Sequence, residues 1–233
     1  MTGRRLVLFD IDGTLVSAGG VSSRALEATL REAFGTCGAA DEYDYSGKTD
    51  PQIVRELMRG AGFAEPAIEE RLPGALAQYR ERLLAWLRPE DVTPKPGIAA
   101  LLEALAVHPR ATLGLLTGNL EPCARAKLAP VGANPYFPFG AYGSDHEDRY
   151  RLPAIGLERG RSATGVAFEG SDVVIVGDSV HDVLCGRSLG VRAVAVATGR
   201  TTPEQLAAVA PDALLGDFTD TAAAVRAILG ERP

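Results

Sequence analysis

The chain has 233 residues, 46% of them hydrophobic, and a formal net charge of −6. That length fits one large domain or a domain with an insert, and that composition suffices to bury a core. The acidic balance without a basic tract speaks against a nucleic-acid partner, and the apolar runs are far too short to cross a bilayer. Arg4 and Arg5 open the chain without the long apolar segment and cleavage site of a signal peptide. Cys37, Cys123 and Cys185 are odd in number and lack metal-ligand spacing, as expected of free thiols in a reducing cytoplasm.

The first predicted strand, Leu6-Val7-Leu8-Phe9, reads as buried on both faces, as in a parallel sheet. It runs into Asp10-Ile11-Asp12-Gly13-Thr14. Side chains two apart on an extended segment point the same way, so Asp10 and Asp12 face one cavity at the strand's C-terminal end. Open α/β sheets bind ligands there. Two carboxylates so close repel, and the spacing calls for Mg²⁺, a shared proton, or both. A site with a nucleophile and an acid/base suits acyl-phosphate chemistry.

From about residue 17 to 93 the periodicity is helical. Leu26, Leu30, Ala33 and Phe34 share one face; Ile53, Val54, Leu57, Met58 and Ala61 share another, behind an Asp50 cap and Pro51. Ile68, Leu72, Leu76, Tyr79, Leu83 and Leu87 suggest one or two further helices, with Pro73-Gly74 marking a kink or break. The hinges of this helical insert fall at 16–20 and 94–97.

Beyond the insert, Ile98, Leu101, Leu102 and Leu105 mark a helix behind Pro96. Strands follow at 113–116, 173–176 and 193–196, with a short fifth at 213–215. The first of these ends in Thr117-Gly118-Asn119 and the second in Gly177-Asp178-Ser179, followed by Asp182. A helix over 182–189 stops at Gly190, and Asp220 caps a last helix carrying Val225, Ile228 and Leu229. Strands alternating with helices predict a doubly wound parallel sheet built from residues 1–16 and 94–233, with a helical cap at 17–93.

The three strand-end motifs, in this order, resemble those of the haloacid dehalogenase superfamily, phosphoglycolate-phosphatase-like members with a helical cap, over nearly the whole chain. The resemblance implies a Mg²⁺-dependent phosphatase acting on a small phosphate monoester through an aspartyl-phosphate. Asp10 matches the nucleophile and Asp12 the acid/base. Mg²⁺ would be held by Asp10, the Asp12 main-chain oxygen and Asp178, with Asp182 behind them or bridged by water. Four carboxylates with little compensating charge would be unstable without a cation. Thr117 and the Gly118 N–H would donate to phosphate oxygens, with Gly13, Thr14 and Asn119 completing the substrate contacts.

The superfamily's phosphate-binding lysine is expected shortly before the third motif, but the stretch from Ser144 to Arg151 has none. Lys127 is the best replacement, with Arg149 or Arg151 next. Lys48, in Gly47-Lys48-Thr49-Asp50, could read the non-reacting end of an anionic substrate when the cap closes. The resemblance leaves a phosphomutase, or a phosphonate hydrolase using Lys48 as Schiff base, as alternative enzymes. A metabolite-sensing module on an inactive scaffold is the alternative outside catalysis. The expected partner is a small phosphorylated metabolite, neither nucleic acid nor membrane, bound by a monomer or homodimer.

Overall fold

The computed structural model describes residues 3–231. Six parallel strands form one sheet: β1 (Arg5–Phe9), β4 (Ala111–Thr117), β5 (Gly140–Tyr142), β6 (Val173–Gly177), β7 (Arg192–Val196) and β8 (Ala213–Leu215). The numbers β2 (Val16–Ser17) and β3 (Thr93–Pro94) belong to a separate antiparallel pair. The sheet order is β5-β4-β1-β6-β7-β8. Strand order reverses about β1, and at such a switch point the carboxyl ends of adjacent strands open a crevice.

The alternation of β1 builds both layers. Val7 and Phe9 pack on one face with Leu101, Leu105, Ile228 and Leu229, from α4 (Ile98–Ala106) and α9 (Thr221–Leu229). Leu6 and Leu8 pack on the other with Leu152 and Cys185, from α6 (Leu152–Thr164) and α7 (Val180–Cys185). Two further helices, α5 (Glu121–Leu128) after β4 and α8 (Pro203–Ala208) after β7, complete the winding. The Asp220 carboxylate caps α9 by accepting from the Ala223 N–H at 2.9 Å. All three cysteines are buried and free. Among the described residues, no helix is long and apolar enough to cross a membrane.

Three helices lie between β2 and β3: α1 (Val21–Phe34), α2 (Asp50–Gly60) and α3 (Glu65–Trp86). Their apolar faces meet in a cluster of their own, including Leu30, Val54, Met58, Ile68 and Leu83, which Leu120 and Cys123 of the core join. The stretches leading in and out of this insert pair with one another, Val16 opposite Pro94.

Several local expectations need correction. Strand β5 was not foreseen, because Gly140-Ala141-Tyr142 is three residues long at a sheet edge and offers no aliphatic run. Helix α3 runs unbroken through Pro73-Gly74; both are exposed, so water can serve the carbonyl that Pro73 leaves unpaired. Helix α7 ends at Cys185, and a separate 3₁₀ turn, Arg187–Leu189, runs up to Gly190. The cap of α2 is Thr49, whose hydroxyl accepts from the Gln52 N–H at 3.2 Å, rather than Asp50, whose carboxylate turns to the core.

Candidate active site

The carboxyl ends of β1, β4 and β6 meet the insert around a cavity of about 340 Å³. Two clusters of opposite charges lie beside it.

The first is built wholly from the core. Carboxylate oxygens of Asp10, Asp178 and Asp182 lie within 4.8 Å of one another, all three residues buried. Gly13, at φ 88°, supplies the left-handed turn that brings the chain after β1 against Asp178. The Thr14 hydroxyl donates to Asp178 Oδ1 at 3.0 Å. Asp182 stands in the first turn of α7, where the Ser179 N–H and hydroxyl donate to its Oδ2 at 2.9 and 2.6 Å.

Arg149, 2% exposed, enters this cluster from a 3₁₀ turn before α6. Its Nη2 donates to Asp10 Oδ1 at 3.1 Å and also to Asp182 Oδ1. Its Nε is buried without a partner among the described residues. Burial, and then the Asp182 charge, push Asp10 up to about 7, with Arg149 pulling the other way. Burial and the neighbouring Asp10 and Asp182 raise Asp178 well above the ordinary carboxylate range. Three carboxylates around one guanidinium leave surplus negative charge on a set of oxygen donors, the chemistry that suits a hard divalent cation such as Mg²⁺. Arg149 supplies part of the compensating charge for the four carboxylates.

The second cluster joins core and insert. Asp12, its side chain 43% exposed, accepts through Oδ2 from Lys127 Nζ at 2.6 Å and from Asn119 Nδ2 at 2.7 Å. Lys127 Nζ also donates to Asn119 Oδ1 at 2.6 Å, and Asn119 Nδ2 to the Thr117 hydroxyl at 2.8 Å. Asn119 thus spaces the lysine from Thr117. From the insert, the Asp50 carboxylate accepts the Leu120 N–H at 2.8 Å, and the Asp50 N–H donates to the Gly118 carbonyl at 2.8 Å. Burial pushes Asp50 up to about 6 against the opposing Lys127 charge. Burial pulls Lys127 down, but Asp12 and Asp50 outweigh it and hold its pKa above the usual lysine value.

Asp10, Asp12, Gly13, Thr117, Gly118, Asn119, Lys48, Lys127 and Asp178 all line the cavity. Thr14 does not: it is fully buried and its hydroxyl serves Asp178, a correction to its expected substrate contact. Lys48 is committed, donating to Glu56 Oε2 at 2.8 Å and to the Tyr43 hydroxyl at 3.0 Å. Although burial pushes Glu56 up, hydrogen bonds from Lys48, Tyr43 and Gln52 bring it down to about 2. Arg151 points away, its side chain 72% exposed beside Asp148. The choice between Lys127 and Arg149 resolves into two places: the lysine sits on Asp12 and the arginine on Asp10. Asp50 is the participant sequence reasoning missed, because an acidic residue before Pro51 reads as a helix cap.

Comparison with known proteins identifies the family. Residues 7–196 match the family described as haloacid dehalogenase-like hydrolase. "Probable phosphatase IndB" of Dickeya dadantii is 27% identical over 230 residues, covering 96% of this chain and 94% of that protein. Phosphoglycolate phosphatase of Agrobacterium fabrum is 30% identical over 222 residues, covering 91% of this chain and 88% of its own. The crystal structure of a hydrolase from Pseudomonas syringae superposes with a TM-score of 0.75 at 17% identity, over 97% of this chain and 99% of that one. With a doubly wound core, an acidic cluster at its switch point and these relatives, the chain belongs to the haloacid dehalogenase-like hydrolases, on their phosphatase side.

Proposed function

We propose that the protein is a Mg²⁺-dependent phosphatase that hydrolyses a small phosphate monoester, phosphoglycolate-like or a sugar phosphate, through an aspartyl-phosphate on Asp10. The observation that carries this reading is the separation of the first two aspartates into different electrostatic settings: Asp10 is buried beside Arg149, and Asp12 is half-exposed beside Lys127. Two carboxylates held apart in this way can take two roles.

Arg149 occupies Oδ1 of Asp10, which orients the carboxylate and leaves its other oxygen for attack on phosphorus. Asp12 protonates the leaving oxygen and then takes a proton from the water that opens the acyl-phosphate. Lys127, the Thr117 hydroxyl and the Gly118 N–H offer donors to the phosphate oxygens. Asp10, Asp178 and the Asp12 main chain, with Asp182 behind them, would hold Mg²⁺, which when bound neutralises charge on the phosphoryl group. The insert borders the cavity, and its closing over a bound substrate would exclude bulk water while Asp10 reacts.

The phosphonate-hydrolase alternative draws no support from Lys48, whose amine is ion-paired to Glu56 and so poorly placed for a Schiff base. The test is release of inorganic phosphate, with and without Mg²⁺, from an aryl phosphate and a panel of phosphorylated metabolites. Metal-dependent release supports the reading. No release from any ester, or release that persists in Asp10→Asn, rejects it.

A further inference from the structure

A cavity of about 340 Å³ is in the range of sites that enclose a small organic ligand rather than a bare phosphate ion. Lys48, Lys95, Lys127, Arg149 and Arg200 bring positive charge to its lining. Four of these are engaged. Lys48 pairs with Glu56, Lys127 with Asp12, and Arg149 with Asp10 and Asp182. Lys95 Nζ donates to the Thr198 carbonyl at 2.7 Å. Arg200 alone of the five has neither an ion pair nor a side-chain hydrogen bond among the described residues, and it is exposed.

The backbone that carries Arg200 is fixed against the reacting centre. The Thr198 hydroxyl donates to the Gly13 carbonyl at 2.6 Å. Gly199 packs so closely on Asp178 that a Cβ there would collide with its carboxylate. The Arg200 Cα lies one peptide, about 3.8 Å, from that of Gly199, and Arg200 lines the cavity. Tyr45 of the insert lies in the same lining. Burial pushes the Tyr45 phenol up to about 12, and the Arg200 charge is near enough to pull against it.

We propose that Arg200 binds a second anionic group of the substrate, a carboxylate or a second phosphate, and so selects phosphate monoesters with a charged far end. A guanidinium presents a planar fork that matches either anion with two parallel hydrogen bonds. Lys95, bonded to the same turn, adds positive potential there. The role expected of Lys48 passes to Arg200, because Lys48 already has its carboxylate. This rests on the phosphatase reading above.

The experiment compares kcat/KM with Mg²⁺ for the wild type, Arg200→Ala and Arg200→Lys. The esters are 2-phosphoglycolate, a sugar bisphosphate and the neutral-ended phenyl phosphate. The preference for charged-ended over neutral-ended esters should fall about 10- to 100-fold in Arg200→Ala, the effect of losing hydrogen bonds to a charged group. The loss should appear mainly in KM and be partly restored by Arg200→Lys. The charged ester that loses more identifies the anion as carboxylate or phosphate. An unchanged preference overturns the proposal. If the wild type releases phosphate from no ester, the phosphatase reading fails instead. Calorimetric titration of the wild type and Arg200→Ala with 2-phosphoglycolate then decides Arg200 separately: equal affinity overturns its role, and weaker binding by the variant supports it.

Discussion

The two charge clusters beside the cavity differ in who supplies them and how wet they are. Around Asp10, every group comes from the core and is buried, with one arginine facing three carboxylates. Around Asp12, the lysine is buried but its core carboxylate is 43% exposed, and a second carboxylate, Asp50, arrives from the insert. The first is short of positive charge. The second includes a carboxylate that the insert supplies. The contrast separates a half of the site built from the core alone from a half shared with the insert.

The sharpest break is Asp10→Asn, which should lower phosphate release by on the order of 10⁴-fold or more with the fold retained, checked by turnover beside circular dichroism. Lys127→Ala should lower turnover by about 10²- to 10³-fold, the scale of losing a donor to the developing charge. Arg149→Ala should act on stability as well. Three buried carboxylates would lose the one counter-charge they have among the described residues, a cost of about 3–5 kcal/mol in urea unfolding with chelator present. Added Mg²⁺ should restore part of that, because a ligand that binds only the folded state stabilises it. If Lys127→Ala shows the same Mg²⁺-dependent rescue, the two halves are not distinct.

Asp50→Asn tests the half shared with the insert. The Asp50 pKa is raised from 3.8 to about 6, so the folded chain binds this proton more tightly than the unfolded chain. Stability from this group is therefore greatest below the lower value, falls as pH rises between the two, and is flat above. The variant cannot ionise and should show a shallower profile in that window, gaining up to about 3 kcal/mol over the wild type near neutral pH apart from other effects of the substitution. Parallel profiles for the two proteins would assign the titration elsewhere. The smallest effect belongs to Glu147→Ala. Arg55 Nε meets Glu147 Oε2 at 2.5 Å across the seam, but Glu147 is half-exposed and Arg55 keeps Glu65 and Glu69, so the loss should be at most about 1 kcal/mol by thermal unfolding.

The sheet was legible where strands are buried on both faces, because burial on two sides favours an unbroken apolar run, as in Leu6-Val7-Leu8-Phe9 and Val173-Val174-Ile175-Val176. Strand β5 was not legible, since an edge of three residues places little demand on composition. The positions of Asp10 and Asp12 could be read from spacing along one strand. The partners of Lys127 and Arg149 could not, because those contacts close loops of 115 and 139 residues and are set by topology. Thr14 and Asp50 were misread for a related reason. Each sits in a local motif with a ready meaning, and in each the side chain leaves that motif for a distant partner, Asp178 or the Leu120 amide.

The peptide joining Gly118 to Asn119 is pinned at both edges. Its oxygen accepts from the Asp50 N–H at 2.8 Å, and its N–H reaches the Thr117 hydroxyl at 3.4 Å. Were the three helices to swing outward, the oxygen edge would come loose while the other stayed tied. The plane could then tilt, and with it the cradle between Thr117 and Asn119. On the phosphatase reading proposed above, the Asp50 amide would therefore act as a clutch, its hold on this loop engaged when the door is shut and slack when it is open, which would ease the departure of inorganic phosphate.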